Sequence, residues 1–422
     1  MCYNLGMSYL ERTVDAELDY LLSDLAAVAI DGPKGVGKSY TARRRSDTEW
    51  RLDDPAQLEI ARSDFWLKTV PEGTLLIDEW QYLPQVWDSV RRQVDFGAPP
   101  GRFILTGSAT PVNAAGTHSG AGRIVSLRMR PMALHERGIV TPTISFEKVL
   151  NGTAGDILGT SSFSLADYAA AIASSGFPAI MKASPRSRKA MLDAYLARVI
   201  DRDLPDQGYD VRRPEILRRW MSAYAAASST NAAYSTLLDA TTGGDGSQPA
   251  KETTIAYREH LSRLWLVDPV HGWLAANNPI KRLMQAPKHQ LADPALAARL
   301  LSLTETSLVS SAGAHMFGPL FESLATLTVR VCAQLAQARV NHMRIQGGDR
   351  EIDLIVTGPE GQILAIEVKM AASIDDRDVR HLLWLRDQIP DKVVDLVVLN
   401  TGPGAYRRPD GVVVIPLAML GA

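Results

Sequence analysis

Apolar residues along this chain fall into two periods. Continuous runs at residues 25–30, 75–77 and 103–105 lack polar alternation, as strands buried on both faces of a parallel sheet require. Between the second and third, Leu83, Val86, Trp87, Val90 and Val94 recur at helical spacing over residues 81–96. Strand, helix, strand in that order predicts a right-handed parallel crossover, and residues 1–145 are expected to form one α/β domain. Residues 151–165 are rich in Gly, Ser and Thr and read as a linker within a connector spanning 146–205, which also holds Gly176-Phe177-Pro178 and a helix over 188–202. Helices at 218–229, 231–240 and 251–265 then surround a flexible stretch at 241–247 and precede a short strand at Leu266-Val267. From residue 291 a helix over 317–337 leads into strands at 350–356 and 363–369, joined by a turn at 358–361. Two more apolar runs, 393–400 and 412–416, suit a mixed sheet and complete a last domain over 291–422.

At 422 residues the chain is long enough for two or three domains. The 45 basic and 47 acidic residues nearly cancel, so attraction to nucleic acid or a membrane would have to come from a local patch. Cys2 and Cys332 are the only cysteines, which excludes a disulfide framework and fits a reducing compartment. Residues 1–20 carry Glu11, Asp15, Glu17 and Asp19 and do not read as a signal peptide, and no run is long enough to span a bilayer. A cytoplasmic location is expected.

The chemistry begins directly after the first apolar run. Gly32, Pro33, Lys34, Gly35, Val36, Gly37, Lys38 and Ser39 form a complete phosphate-binding loop, and Tyr40 continues into the expected helix. The glycines let consecutive amides curl around phosphates, Lys38 reaches the β and γ phosphates, and the Ser39 hydroxyl lies where Mg²⁺ binds. The helix start near Lys38 adds its positive end to the same anion. A glycine-rich turn can match by accident; a strand in front and a helix behind are the context that distinguishes the two. The second run ends in Asp78-Glu79, with Asp78 placed to bind Mg²⁺ through water and Glu79 to polarise the attacking water. Thr106 and Ser108 tip the third strand, where a γ-phosphate sensor sits in a parallel sheet; for Ser108 a plain strand end is the alternative. Asp53 and Asp54 read as a cap before Pro55, the alternative being another strand that ends near the site. Among Arg123, Arg128 and Arg130, Arg123 is the candidate arginine finger, against the commoner reading of a solvated strand arginine.

The segments GPKGVGKS, LLIDEWQYLP, FILTGSAT and LRMRPMALHE resemble the AAA-type ATPase domain of a widespread bacterial and archaeal family, in which that domain precedes a long C-terminal region. The resemblance covers residues 9–138, and the rest of the chain follows the family order. It implies binding and hydrolysis of ATP with Mg²⁺, with Lys38, Ser39, Asp78 and Glu79 on matching motif positions, and it leaves oligomeric assembly open. A nucleotide kinase, the main rival for such a loop, does not need the Asp78-Glu79 pair followed by a polar strand tip.

Two later regions carry candidate chemistry. The helix over 251–265 presents Lys251, Tyr257, Arg258, His260 and Arg263, and with the helices before it and the strand after it reads as a winged helix over 206–290. Arg258 then lies where a side chain would contact a DNA groove, although Glu252 and Glu259 dilute the positive surface, and such folds also serve as protein contacts or lids. In the last domain, period-two alternation places Glu351, Asp353 and Ile355 on one strand face and Glu367 and Lys369 on one face of the next. With Glu322 near the head of the preceding helix, this set resembles the PD-(D/E)XK nuclease fold, Asp353 being the lone acid and Glu367-Val368-Lys369 the (D/E)XK element. The resemblance implies Mg²⁺ or Mn²⁺ held by Glu322, Asp353, Glu367 and the Val368 carbonyl, with Lys369 orienting a metal-bound water and DNA or RNA as substrate. A cross-strand salt bridge worth about 0.2–1 kcal/mol is the alternative. The chain departs from the pattern at His381 and Leu385, where Gln and Tyr often stand, and at Ile352 before Asp353. Two classes of function remain: an ATP-driven nucleic-acid enzyme, or a nucleotide-dependent switch whose C-terminal fold is a binding platform. A basic groove around Asp353 and Glu367 favours the first, an occluded site the second.

Overall fold

The computed structural model describes residues 9–108, 121–242, 248–273, 286–345 and 350–422. Cys2, Ala109, Thr110 and residues 243–247 lie outside them. Strands β1 (Ala27–Asp31), β2 (Thr48–Arg51), β3 (Leu75–Asp78), β4 (Phe103–Gly107) and β5 (Val125–Arg128) form one sheet in the order β2-β3-β4-β1-β5. Every pairing is parallel. The three central strands are covered on both faces, which explains their unbroken apolar sequences, while Val125 and Ser126 on edge strand β5 are exposed. Asp54 caps the helix Pro55–Ser63 by accepting from Ala56 N at 2.9 Å. The helix expected over 81–96 is split: a 3₁₀ turn, Trp80–Tyr82, precedes the helix Gln85–Asp95. Pro84 is the cause, since the residue before a proline avoids helical dihedrals, and Leu83 sits at φ −139°.

Helices Leu165–Ser174, Pro185–Arg198, Pro214–Ala226, Tyr234–Ala240 and Lys251–Arg263 make up the middle of the chain. The second runs into a π-helical turn, Val199–Asp203, in place of the regular helix expected to residue 202. After the last, Val267 and Val270 bridge antiparallel to Leu291 and Lys288, so residues 267–270 and 288–291 form a short ribbon.

The remaining strands are β6 (Ile144–Ser145), β7 (Gly159–Thr160), β8 (Arg339–Arg344), β9 (Glu351–Thr357), β10 (Ile363–Lys369), β11 (Val393–Asn400), β12 (Gly404–Arg407), β13 (Val413–Pro416) and β14 (Leu420–Gly421). Seven of them make a mixed sheet in the order β7-β12-β13-β11-β10-β9-β8, parallel at β10-β11 and β11-β13. Its strand β7 comes from the Gly/Ser/Thr-rich stretch and pairs with β12, while β14 pairs with β6, so this stretch is stitched to the end of the chain. Leu354, Val356, Leu364 and Ile366 pack with the helix Ala314–Leu335, whereas Ile352, Ile355 and Ala365 pack with the helix Asp376–Gln388. Ile355 is therefore not on the face of Glu351 and Asp353. The register slips between Asn341 and Met343, giving β9 one extra residue against β8, and each residue beyond the bulge changes sides. Among the described residues no helix is long and apolar enough to cross a membrane.

Candidate functional site

The carboxyl ends of β1, β3 and β4 bring the expected phosphate-site residues together. The loop leaves β1 at Asp31 and enters the helix Lys38–Arg43, with Gly35 and Gly37 at φ 78° and 110°, dihedrals that suit glycine. A Cβ on Gly32 would lie 2.2 Å from the Met129 carbonyl oxygen. Gly32→Ala is accordingly expected to cost about 1–3 kcal/mol through overpacking, read as a lower unfolding temperature and weaker nucleotide binding.

Lys38 is buried, and among the described residues its Nζ donates to neutral oxygens: Gly32 O at 2.7 Å, Pro33 O at 3.0 Å and Ser108 Oγ at 3.5 Å. A buried ammonium without a direct carboxylate partner is poised for an anion. Burial lowers its pKa to about 8, with Glu79, Asp31 and Asp78 resisting the shift. Above that pH the free protein carries a neutral Lys38, so phosphate binding must be accompanied by proton uptake. Nucleotide affinity is expected to fall as pH rises through 8, by up to about tenfold per unit, in titrations with a fluorescent analogue. A flat profile to pH 9.5 contradicts this.

Asp78 accepts from Ser39 Oγ at 2.8 Å and from the Thr106 hydroxyl, and faces Arg43 at 3.4 Å. Glu79 sits in the left-handed region at φ 56°, uncommon for a residue with a side chain, and its carboxylate takes hydrogen bonds from Ser108 Oγ at 3.2 Å and from Gln81. Both strand-tip hydroxyls thus hold the two acids rather than standing free. The site opens into a cleft of about 400 Å³ lined by Tyr9, Arg12, Lys38, Tyr40, Glu79 and Pro178 among others. Gly35, Gly37 and Ser39 also face it, whereas Lys34 turns to Asp203 of the π turn at 3.5 Å and Val36 is fully buried beneath the loop.

Arg123 does not join this set. It precedes β5, at the opposite end of the parallel strands from the loop, and pairs with Asp95 at 2.9 Å. The arginine that does reach the loop is Arg12, which donates to Val36 O at 3.1 Å and Arg130 O at 2.7 Å and pairs with buried Glu136 at 3.3 Å. Tyr9 joins the same back wall by bonding Thr41 Oγ1 at 2.8 Å. Arg12 and Glu136 are 124 residues apart; Glu136 closes the segment LRMRPMALHE, but no local pattern pairs it with Arg12.

In the last domain Glu322, Asp353 and Glu367 converge with an unexpected fourth member, Lys288. Its Nζ lies 2.7 Å from Asp353 Oδ1, 3.0 Å from Glu322 Oε1 and 3.1 Å from Glu351 Oε1, with 2% of the side chain exposed. Burial alone would lower the Lys288 pKa, but the carboxylates of Asp353, Glu322 and Glu351 outweigh it and hold the ammonium charged. Asp353 Oδ2 accepts from Val368 N at 2.8 Å, and Lys369 Nζ stands 3.4 Å from Glu367. Burial and the neighbouring Asp353 push the Glu367 carboxyl well up. His381 bonds the Glu351 carbonyl at 2.8 Å and Leu385 is buried, so both departures from the nuclease pattern serve the packing of their helix. Among the described residues no group of three or more His, Cys, Asp or Glu is arranged to hold a metal ion.

Residues 25–137 match the family model described as an AAA domain. These residues, which hold the loop and the parallel sheet, resemble a P-loop ATPase domain. Residues 165–307 and 317–420 match two families each described as a domain of unknown function, DUF8612 and DUF4143. The uncharacterized proteins Mb2031c of Mycobacterium bovis and Rv2008c of Mycobacterium tuberculosis are each 24% identical over 417 residues, 96% of this chain and 83% of theirs. The Walker-type ATPase PABY2304 of Pyrococcus abyssi is 13% identical, with a TM-score of 0.42 over 69% of this chain and 96% of its own.

Proposed function

We propose that this chain is a Mg²⁺-dependent ATPase that works as a nucleotide-driven switch, with its C-terminal part serving as a platform rather than a cutting site. The observation that carries the reading is the single hydrogen-bonded group formed by Ser39, Asp78 and Thr106 beside buried Lys38. Mg²⁺ binds largely through phosphate oxygens and water, so it needs few protein ligands, and Ser39 and Asp78 suffice to hold it beside a nucleotide. There it would draw charge from the β and γ phosphates. Lys38 neutralises the same oxygens, and Glu79, fixed by Ser108 and Gln81, orients the attacking water and takes its proton. Release of phosphate from ATP, abolished by a Mg²⁺ chelator, tests the assignment.

Action on DNA or RNA has less support. Arg258, the expected groove contact, lies over the Tyr234 ring at 4.4 Å, and Asp353 and Glu367 are 9% and 4% exposed, the occluded arrangement that disfavours cleavage. The switch reading draws instead on contacts that tie the ATPase domain to the middle and C-terminal parts of the chain. Arg128 and Arg130, at the carboxyl end of β5, both pair with buried Asp268 of the ribbon, at 3.0 and 3.1 Å. Gln334 of the helix Ala314–Leu335 accepts from Arg130 and donates to Glu17 of the helix Thr13–Asp24.

A further inference from the structure

The acidic cluster of the last domain has the residue types of a divalent-metal site, yet the geometry there fits a different cation. A metal bound by Glu322 and Asp353 would sit about 2.0–2.6 Å from their oxygens and keep a position open to water and substrate. Lys288 Nζ occupies that space, within 3.1 Å of an oxygen from each of Glu322, Glu351 and Asp353. Its three N–H donors match these three acceptors one for one. The acids come from a helix and a strand of the last domain, whereas Lys288 arrives from the ribbon that precedes it.

Lys288 is also held from behind. Its main chain exchanges two hydrogen bonds with Val270, at 2.9 and 3.0 Å, which fixes the ribbon register and the direction of the side chain. A divalent ion could enter only by expelling a buried positive charge. Two further acid groups have internal partners: Asp353 Oδ2 takes the Val368 amide at 2.8 Å and Glu367 stands 3.4 Å from Lys369.

We propose that Lys288 is the resident cation of this acidic site, taking the place of a divalent metal, and that the cluster locks the ribbon to the mixed sheet. The second lock lies on the same ribbon. Asp268 pairs with Gln290 across the ribbon, two residues from Lys288, so period-two alternation puts Asp268 and Lys288 on one face. That face meets the helix Ala314–Leu335, whose Glu322 binds Lys288 and whose Arg330 binds Asp268 at 2.6 Å. One lysine among three acids and one acid among three arginines thus fasten opposite strands of the ribbon.

Mn²⁺ binding to the full chain without nucleotide, followed by electron paramagnetic resonance, tests it, with Asp78→Asn in every arm to silence the phosphate site. The Lys288-containing protein is expected to bind the same amount of Mn²⁺ with and without Asp353→Asn. Lys288→Met is expected to gain one ion per chain, lost again on adding Asp353→Asn, with a Mn²⁺-dependent rise in unfolding temperature. An ion bound in the presence of Lys288 and lost with Asp353→Asn overturns the proposal, as does a folded Lys288→Met protein that gains none. If Lys288→Met does not fold, the comparison within the Lys288-containing pair decides alone.

Discussion

Lys38→Ala is expected to lower Mg²⁺-dependent ATP hydrolysis by about 10²–10³-fold, the scale set by removing one preorganised group that stabilises transition-state charge. Lys38 is a buried cation of the cleft, and among the described residues its hydrogen-bond partners are neutral oxygens of the loop and Ser108. Its charge is therefore available to the β and γ phosphates, and Lys34 of the same loop does not share that task, because it points to Asp203. Glu79→Gln separates binding from chemistry. It keeps the size of the side chain, so nucleotide binding should persist while phosphate release drops by about 10²–10⁴-fold, the range for losing a general base. Unchanged turnover in Lys38→Ala sinks the ATPase assignment, and unchanged turnover in Glu79→Gln removes Glu79 as the base.

Asp268→Asn should be the most destabilising single change outside the cleft, costing about 3–5 kcal/mol, because it leaves buried guanidiniums without their acid. Arg330, Arg128 and Arg130 converge on this one carboxylate at 2.6, 3.0 and 3.1 Å. Urea denaturation followed by circular dichroism reads the loss as a lower midpoint, and a loss below about 1 kcal/mol would show that the cluster is not a fastening. Its pH dependence has a definite sign. Burial favours the neutral acid, but Arg330, Arg128 and Arg130 prevail and hold the carboxyl well below the usual carboxylate range. A depressed folded pKa gives stability that is fully present above the unfolded value of about 4 and is lost as pH falls below it. The clamp should accordingly hold unchanged from pH 8 to pH 5.

How much of this was legible in the sequence depends on where each interaction partner lies. Gly32 to Ser39 form one local turn fixed by adjacent backbone, so eight consecutive residues suffice to mark the expected phosphate loop. Asp78, Glu79 and Thr106 were legible because each ends a continuous apolar strand, and parallel strands bring their carboxyl ends to one edge. The same rule applied strictly would have moved Arg123 away, since it precedes its strand. The bulge in β9 was not legible, because one extra residue changes the faces of a strand without changing its composition. Nor was the π turn at Val199–Asp203, where an ordinary helical sequence continues with altered pairing.

The amino-acid sequence by itself determined the phosphate loop, the acid pair behind it, the parallel order of the first domain's central strands and the convergence of Asp353 with Glu367. These rest on neighbours along the chain or across one turn, where spacing dictates geometry. Only the tertiary structure decided what surrounds those groups. Lys288 stands 65 residues from Asp353, and Asp268 stands 138 and 140 residues from Arg130 and Arg128. Burial then made Asp353 and Asp268 require opposite partners, because an unpaired ion is costly in a low-dielectric interior. A set of acids with metal-site residue types therefore received a lysine from a distant ribbon, a partner that no local spacing announces.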